Sequence, residues 1–335
     1  MISIIMPTYN SAPWLEASIK SVIAQTMTDW ELIAIDDGST DNSASIISLF
    51  AATDSRIRLV RTHHQGVANV RNLGISEARG ELAAFLDSDD IWPAWNLEHL
   101  LKLIDETGAD MACGGFIMFP DGKEDKAIDN CNRKKSHSKK SVRISNGIET
   151  VRESLYQKGV NSSLGGKLFR KELLSGLKMN PGEIYEDLDM FYRIALRAKK
   201  VAISSLPAYL YRQRAGSILH TFGPERLLVL DVTERMCLLL SEKYPSLAEA
   251  ALDRRFSANY NMLQLLAIHD KWKRGNDINK SFFGKKKAEI RKFLSQYAFK
   301  ELKNRNVRLK NRLGALLFII TPPYLLDCIL SLKKS

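Results

Sequence analysis

Three carboxylates fall within four residues directly after an apolar run. Residues 82–86 are apolar, and Asp87, Ser88, Asp89 and Asp90 follow them. In open parallel α/β sheets, ligands bind in the crevice beyond the carboxyl ends of the strands. Because like charges repel at this density, the cluster favours a bound Mg²⁺ or Mn²⁺, which prefer carboxylate oxygens and share them with phosphates. Asp and Ser also suit a turn and a helix cap, so a purely structural interpretation stays open.

A second acidic cluster follows another apolar run. Residues 31–35 are strand-like and lead into Asp36, Asp37 and Gly38. Strand-like runs near residues 1–6, 31–35, 57–60 and 82–86 alternate with helical stretches. This alternation is typical of parallel strands joined by right-handed crossovers. We therefore expect an α/β fold with a Rossmann-like, mostly parallel sheet that presents both acidic clusters at one edge. An ordinary Asp-Gly turn is the alternative for residues 36–38.

Four motifs near the start of the chain occur in an informative order. They read Met-Pro-Thr-Tyr-Asn at residues 6–10, Asp-Asp-Gly-Ser-Thr-Asp at 36–41, Val-Arg-Asn-Leu-Gly-Ile at 70–75 and Gly-Glu-Leu-Ala-Ala-Phe-Leu-Asp-Ser-Asp-Asp-Ile-Trp at 80–92. Together they resemble the nucleotide-sugar half of family-two glycosyltransferases, which have the A-type fold. The resemblance is close over residues 1–120. It implies a nucleotide-sugar donor held at the sheet edge.

The resemblance also implies roles for individual residues. Pro7 and Tyr9 would line the nucleoside, and Asp37 would bind the base. Asp89 would hold the metal ion on the diphosphate, and Asp87 would lie on the ribose or on the metal. The other donor-site residues that it implies are Asp36, Ser88, Arg71 and Asn72. A solvated helix face is the alternative for Arg71.

A third acidic segment provides a candidate catalytic base. Residues 182–193 read Gly-Glu-Ile-Tyr-Glu-Asp-Leu-Asp-Met-Phe-Tyr-Arg and resemble the Glu-Asp segment of the family, whose aspartate is the general base in inverting members. The acceptor hydroxyl must lose a proton as it attacks, and a positioned base typically contributes about 10²–10⁴-fold. Asp187 is the predicted base. Alternatively, Glu186, Asp187 and Asp189 are first-turn acids that complement a helix dipole.

Two further segments bear on the donor. Residues 209–218 resemble the Tyr-Arg-x-x-x-Gly-Ser segment near the donor phosphates, which implies phosphate contacts for Arg212 and Ser217. A guanidinium suits phosphate because it donates two parallel hydrogen bonds. Gly165 and Gly166 stand where many relatives have Trp-Asn. We expect these glycines to remove side chains from the wall of the sugar or acceptor pocket, which leaves the sugar open.

Composition favours an enzyme with a basic appendage. Of the net charge of +11, residues 271–335 carry +13, with 17 Lys and Arg against 4 Asp and Glu. The four cysteines lack C-x-x-C spacing and the six histidines lack a zinc signature. Such cysteines indicate free thiols in a reducing cytoplasm. The first strand begins at Ile2, so no signal peptide is expected.

We predict a catalytic domain over residues 1–223 and a helical basic region over 224–335. The polar insert at residues 121–141 is predicted to be a loop over the site.

The basic region predicts helices near residues 226–244, 248–269 and 285–302. A basic run at 304–312 then precedes an apolar segment at 313–320 that Pro322 and Pro323 cut short. A spanning helix needs about 20 apolar residues, so this segment favours peripheral contact with an anionic inner leaflet instead. A helix packed on the catalytic domain and a contact in a homo-oligomer are the alternatives. Nucleic acid is not an expected partner, because aromatic residues do not interleave the basic run.

The combined interpretation is a metal-dependent, inverting hexosyl- or N-acetylhexosaminyltransferase. It would move one sugar from a UDP-sugar to a glycan or lipid-linked acceptor, in surface polysaccharide synthesis of the lipopolysaccharide or capsule type, at the cytoplasmic face of the inner membrane. Two other classes stay open. A sugar-nucleotide-forming nucleotidyltransferase would carry a Gly-rich loop after the first strand, where this chain has residues 7–10. A non-catalytic scaffold subunit would lose acids, whereas Asp37, Asp89 and Asp187 are all present.

Overall fold

The computed structural model describes residues 1–137, 141–214, 223–268, 277–321 and 330. The chain forms two compact units. The first comprises Met1–Val151 and Ser162–Ser217, and the second comprises Arg152–Asn161 and Ile218–Ser335. The division of function between residues 1–223 and 224–335 stays a prediction.

The first unit is built on one eight-stranded mixed sheet in the order β3-β2-β1-β4-β7-β5-β8-β6. The strands β3, β2, β1 and β4 run parallel, as do β5 and β8, whereas β7 is antiparallel to both neighbours and β6 is antiparallel to β8. The predicted Rossmann-like arrangement is therefore confirmed. The strands are β1 (Ile2–Thr8), β2 (Trp30–Asp37), β3 (Ile57–Thr62), β4 (Leu82–Phe85), β5 (Met111–Pro120), β6 (Val142–Ser145), β7 (Lys167–Arg170) and β8 (Val201–Gln213).

Helices cover this sheet, so its central strands are buried. All eight residues of β2 are buried, and β4 is buried throughout. Strands covered on both faces need continuous apolar runs, and this explains the two runs in the sequence. The helices along this part of the chain are α1 (Ala12–Ile23), α2 (Ser43–Thr53), α3 (Val67–Glu77), α4 (Asn96–Thr107), α5 (Glu124–His137), α6 (Gly147–Leu155) and α7 (Glu186–Ala195), with a 3₁₀ turn at Lys171–Leu174.

The polar insert at residues 121–141 is a helix over most of its length, so the prediction of a loop is wrong for residues 124–137. Ala127 and Cys131, one helical turn apart, are buried in a cluster with Phe119 and Leu210. The Cys131 thiol also donates a hydrogen bond to the Pro207 carbonyl oxygen at 3.0 Å. This narrow apolar stripe, against which Ile128 also packs, fixes the helix although most of its residues are polar. Residues 138–140 lie outside the described part of the chain.

The second unit is helical, as predicted. Its main helices are α8 (Leu228–Lys243), α9 (Ala248–Ile268), α10 (Asp277–Lys303) and α11 (Leu309–Ile320), with 3₁₀ turns at Pro224–Leu227 and Pro245–Leu247. Among the described residues, none of the helices is both long and apolar enough to cross a bilayer.

Candidate active site

The carboxyl ends of β1, β2 and β4 meet at one edge of the sheet. Within the parallel register, Thr8 lies beside Asp36, and Ile5 lies beside Phe85. The loops after these strands therefore leave from the same side, as the sequence predicts. This edge brings together the residues of the first, second and fourth motifs.

Asp37 is the centre of a cluster that includes a histidine. Its carboxylate accepts hydrogen bonds from the backbone N–H groups of Gln65 and Gly66, both at 2.9 Å, at the start of α3. The His64 Nδ1 atom lies 2.9 Å from Asp37 Oδ2. Tyr9 stacks on the His64 ring with the centroids 4.1 Å apart, and 45% of Tyr9 is exposed. The sequence analysis did not assign His64 to the site, because only the tertiary fold places it between Asp37 and Tyr9.

The loop after β1 is shaped by an exchange of hydrogen bonds with the loop after β2. Asn10 has a left-handed backbone with φ of 47°, and its Oδ1 accepts the Thr40 N–H at 2.9 Å. Ser39 Oγ accepts the Asn10 N–H at 3.0 Å. Asp36 is buried, and its carboxylate accepts the Ser39 N–H at 3.3 Å. Asp36 thus stabilises the turn, and the half-buried Pro7 lies in the neighbouring strand.

The acidic cluster after β4 separates into buried and partly exposed members. Ser88 is buried and donates to Ser11 Oγ at 2.7 Å. Asp90 is fully buried and accepts the Arg212 N–H at 2.7 Å. Burial, together with the charges of Asp89 and Asp87, raises the pKa of Asp90 well above its usual range. Ser88 and Asp90 therefore shape the turn, which leaves Asp87 and Asp89 as the carboxylates that face the edge.

Arg71 connects the acidic cluster to the third acidic segment. Its guanidinium pairs with Asp87 Oδ1 at 2.6 Å and with Glu186 Oε1. Arg71 and Glu186 are both buried. Burial alone lowers the pKa of Arg71, but the carboxylates of Asp87 and Glu186 outweigh it and raise that pKa. Arg71 is therefore an internal ionic link, and the alternative of a solvated helix face is wrong.

The predicted base lies beside this link, in the first turn of α7. Asp187 is half-buried and its Oδ1 accepts the Leu188 N–H at 2.7 Å. Burial raises the pKa of Asp187, and Arg71 opposes that rise. Burial likewise raises the pKa of Glu186 to about 7, again against Arg71. A carboxylate with a raised pKa accepts a proton more readily near neutral pH, which suits a general base.

A buried lysine lies near the same helix. Lys167 is 2% exposed, and its Nζ atom lies 4.9 Å from the ring centroid of Phe191 and 5.6 Å from that of Phe116. Burial lowers the pKa of Lys167 to about 8, and the charges of Cys113 and Asp187 oppose this effect. The sequence analysis missed Lys167, whose position depends on long-range packing.

The two glycines before Lys167 accommodate aromatic rings. A Cβ atom on Gly165 would lie 2.6 Å from the Tyr209 ring, and one on Gly166 would lie 2.8 Å from the Phe116 ring. Gly166 also has φ of +66°, which L side chains rarely adopt. The expected open wall is therefore wrong at these positions, because the rings of Tyr209 and Phe116 fill the space next to the glycines.

Asn72 and Arg212, which the sequence predicts to bind the donor, both contact other parts of the protein. Asn72 forms two hydrogen bonds with the backbone of Met179, both at 2.9 Å, so its amide holds the segment that leads to α7. Arg212 is buried, and its Nη1 pairs with Asp121 at 2.9 Å and with Glu124. Arg212 thus connects the start of α5 to the acidic cluster, because its Nε also donates to the Asp89 carbonyl oxygen. Ser217 lies outside the described residues.

A further arginine contacts the predicted metal ligand. Arg214 Nε donates to Asp89 Oδ2 at 2.6 Å, and its guanidinium lies 4.3 Å from the ring centroid of Trp14. Trp14 Nε1 donates in turn to the Asp121 carboxylate. The resemblance pointed to this segment but not to Arg214 itself, and nothing in the sequence indicates the contribution of Trp14.

The donor set around Asp87 and Asp89 suits a divalent ion that is completed by phosphate. Both carboxylates lie at this edge, where Arg71 binds Oδ1 of Asp87 and Arg214 binds Oδ2 of Asp89. Within the described part of the chain, no group of three or more His, Cys, Asp or Glu residues forms a metal cage. Mg²⁺ is usually held by one or two carboxylates together with substrate phosphates, and this arrangement fits that pattern.

Comparisons with known proteins agree with the fold and the motifs. WfgD of Escherichia coli, a UDP-Glc:alpha-D-GlcNAc-diphosphoundecaprenol beta-1,3-glucosyltransferase, is 40% identical over 117 residues, which cover 35% of this chain and 46% of that protein. Residues 1–349 of S. aureus TarS in complex with UDP-GlcNAc match with a TM-score of 0.67 at 16% identity, over 98% of this chain and 89% of that chain.

The mannosyltransferase PcManGT from Pyrobaculum calidifontis, in complex with GDP-Man and Mn²⁺, matches with a TM-score of 0.50 at 15% identity, over 99% of this chain and 87% of that chain. At these identities the two solved structures show the fold alone, and they confirm the predicted A-type fold. The model of the family described as Glycosyl transferase family 2 matches residues 3–174, which is more than half of the chain. The chain therefore belongs to glycosyltransferase family 2.

Proposed function

We propose that this glycosyltransferase moves a single sugar from a UDP-sugar to a hydroxyl of a glycan or lipid-linked glycan, with inversion. The observation that carries the proposal is the ionic link through Arg71, which joins Asp87 at the donor edge to Glu186, the neighbour of Asp187. A donor carboxylate and a candidate base are thereby held in one site. The sugar would be a hexose or an N-acetylhexosamine.

We assign Asp187 as the general base that accepts the proton of the acceptor hydroxyl. The acceptor oxygen forms a bond to the anomeric carbon while the bond from that carbon to the diphosphate oxygen breaks. The hydroxyl proton passes to the Asp187 carboxylate, and the electron pair leaves with the nucleoside diphosphate. Attack from the face opposite the leaving group inverts the anomeric centre. The raised pKa of Asp187 supports this role, because a stronger base takes the proton more readily.

Asp87 and Asp89 would hold the cofactor, Mn²⁺ or Mg²⁺, through their carboxylates, which Arg71 and Arg214 contact in this structure. When bound, the ion would neutralise charge on the leaving diphosphate. Tyr9 and Pro7 would line the nucleoside, and Asp37 would bind the base. The exposed face of Tyr9 supports this assignment, since it offers a stacking surface beside the buried carboxylate of Asp37.

A lipid-linked acceptor is the second part of the proposal. The name of WfgD describes an undecaprenyl diphosphate glycan, and such an acceptor requires contact with a membrane. Exposed apolar residues form a stripe along α11, namely Leu309, Leu313, Leu316, Ile319 and Ile320. Lys310 and Arg312 are on the same helix. A helix of this kind binds at an anionic lipid surface. We place the enzyme at the cytoplasmic face of the inner membrane, in synthesis of a surface polysaccharide.

A donor screen tests the proposed activity. The full chain is incubated with UDP-, GDP- and TDP-sugars and Mn²⁺, and both thermal stabilisation and release of nucleoside diphosphate are measured. We expect UDP-sugars to stabilise the protein and to release UDP, and expect EDTA or Asp89→Asn to abolish both effects. Release of pyrophosphate during formation of a sugar nucleotide would identify a nucleotidyltransferase instead. Binding of donor with no product from any acceptor preparation would favour a scaffold subunit.

A further inference from the structure

The predicted metal ligand Asp89 has a cationic partner within the protein. Arg214 lies directly after β8 and donates from Nε to Asp89 Oδ2 at 2.6 Å. The two side chains are 27% and 23% exposed, so water reaches the pair only in part. The other carboxylate of the predicted metal site, Asp87, is paired with Arg71. Arg214 is thus the cation that balances Asp89.

The position of Arg214 is fixed by more than this ion pair. Its guanidinium lies over the Trp14 ring, at 4.3 Å from the centroid. The Trp14 indole N–H is held by the Asp121 carboxylate at 3.1 Å and 3.2 Å, and Asp121 also pairs with Arg212 at 2.9 Å. Arg212 Nε donates a hydrogen bond to the Asp89 carbonyl oxygen at 2.6 Å, which closes the ring. Arg214 therefore belongs to a closed ring of contacts, unlike a loose surface ion pair.

We propose that Arg214 is a built-in counter-ion which a divalent metal must displace from Asp89 before the donor site is complete. This inference rests on the proposed function, because it takes Asp89 as a metal ligand. A guanidinium and a divalent cation on one carboxylate repel each other, so the metal competes with Arg214. Once released, the Arg214 guanidinium carries a planar fork that suits the diphosphate that arrives with the metal.

Two measurable properties follow from the displacement. Free enzyme binds the metal weakly, because the metal must compete with Arg214. Nucleoside diphosphate strengthens metal binding, because the displaced guanidinium gains a new partner. By reciprocity, the metal strengthens nucleotide binding by the same factor, and such couplings are typically about 5–150-fold. Removal of the charge at position 214 should therefore tighten metal binding in the free enzyme and reduce its coupling to nucleotide.

The test is a titration of the full chain with Mn²⁺, with the free ion measured by electron paramagnetic resonance, in the presence and absence of UDP. Arg214→Met keeps an apolar stem over Trp14 and removes the charge. Arg79→Met is the matched control, since Arg79 is exposed and precedes β4 at the opposite end of that strand. We expect Arg214→Met to bind Mn²⁺ at least about tenfold more tightly than wild type without UDP, and the gain from UDP to shrink by a similar factor.

The remaining outcomes are also decisive. If Arg214→Met binds Mn²⁺ no more tightly than wild type and Arg79→Met while all three bind UDP with Mn²⁺, the counter-ion role is overturned and the proposed function stands. If Arg214→Met gains Mn²⁺ affinity but wild type transfers no sugar, the counter-ion role stands and the proposed function fails. If neither protein binds Mn²⁺ with or without UDP, both fail. Circular dichroism checks folding, and Arg214→Lys, which keeps the charge without the fork, should show an intermediate gain if the Met variant does not fold.

Discussion

The guanidinium of Arg71 pairs with Glu186, a residue 115 positions farther along the chain, and both side chains are buried. The same guanidinium holds Asp87, so one side chain joins α3, α7 and the loop after β4. Asp187 follows Glu186 directly and is positioned with it. The distance between donor edge and candidate base is therefore maintained by an ionic contact rather than by neighbouring sequence.

This link leads to a stability prediction. Arg71→Met leaves the buried Glu186 without its cation, and loss of one partner of a buried pair typically costs about 3–5 kcal/mol of unfolding free energy. Urea unfolding measures the change. The double variant Arg71→Met/Glu186→Gln should recover part of this loss, because no unpaired charge stays buried at position 186. A single variant as stable as wild type would show that the link contributes nothing.

The role of Asp187 leads to a kinetic prediction. Asp187→Asn keeps the size of the side chain but cannot accept the proton, so turnover should fall by at least about 10²-fold while the affinity for UDP stays near that of wild type. Initial rates and UDP titrations measure the two quantities. Asp105→Asn, an exposed carboxylate on α4, is the control and should leave both unchanged. Collapse of UDP affinity with a normal rate would make Asp187 a binding residue.

The adjacent carboxyls of Glu186 and Asp187 lead to a pH prediction. A general base is inactive when protonated, so kcat/KM should fall at acid pH, with the acid limb above the usual range of an aspartate because burial raises the pKa of Asp187. Glu186→Gln removes a neighbouring negative charge and frees Arg71, and both changes lower the pKa of Asp187. The acid limb should therefore move to lower pH in that variant. A profile that is the same in both proteins would contradict the coupling.

Asp253 and Glu301 in the helical unit lead to a second pH prediction, now on stability. Both carboxyls are buried, and Asn311 donates to Asp253 Oδ1 at 2.7 Å. Burial, reinforced by Asp253, raises the pKa of Glu301 to about 10 from 4.5. The folded state thus holds a proton that the unfolded chain releases, so this contribution to stability is complete below pH 4.5 and is lost as the pH rises through about 10.

Urea unfolding at several pH values between about 6 and about 9 measures how the unfolding free energy depends on this pair. Each pH unit in this window should cost wild type up to about 1.4 kcal/mol through Glu301. Glu301→Gln cannot ionise, so its unfolding free energy should change less with pH. Lys286→Met/Glu289→Gln, an exposed ion pair on α10, is the control and should keep the slope of wild type. Equal slopes in Glu301→Gln and wild type would rule out a bound proton.

The exposed stripe of α11 leads to a membrane prediction. Wild type should co-sediment with anionic vesicles but poorly with zwitterionic ones, and salt should weaken binding because the Debye length is only about 8 Å at physiological ionic strength. Leu313→Gln/Ile320→Gln should reduce binding at least about tenfold. The matched control is Leu49→Gln/Leu238→Gln, which alters two comparably exposed leucines on α2 and α8. Equal loss in both double variants would reject α11 as the contact surface.

The sequence by itself determined the strands in the N-terminal part of the chain and the sheet edge at which those strands end. The buried runs of β2 and β4 are continuous and apolar because both faces of these strands are covered, so they are readable without a structure. The acids that follow each run must then lie at the same carboxyl edge. The motifs at Tyr9, Asp37 and Asp89 carried the family resemblance, and the match of the family model over residues 3–174 confirms it.

The tertiary structure decided which side chain each of those acids meets. Asp37 pairs with His64, Asp89 pairs with Arg214, and the base segment pairs with Arg71. These partners lie on different loops and helices, and no local period places them. The helix α5 and the glycines before Lys167 were misread for the same reason, since a few buried contacts with distant residues fix both. Local patterns record burial and turn chemistry, whereas pairings between charges depend on distances that only the packed chain sets.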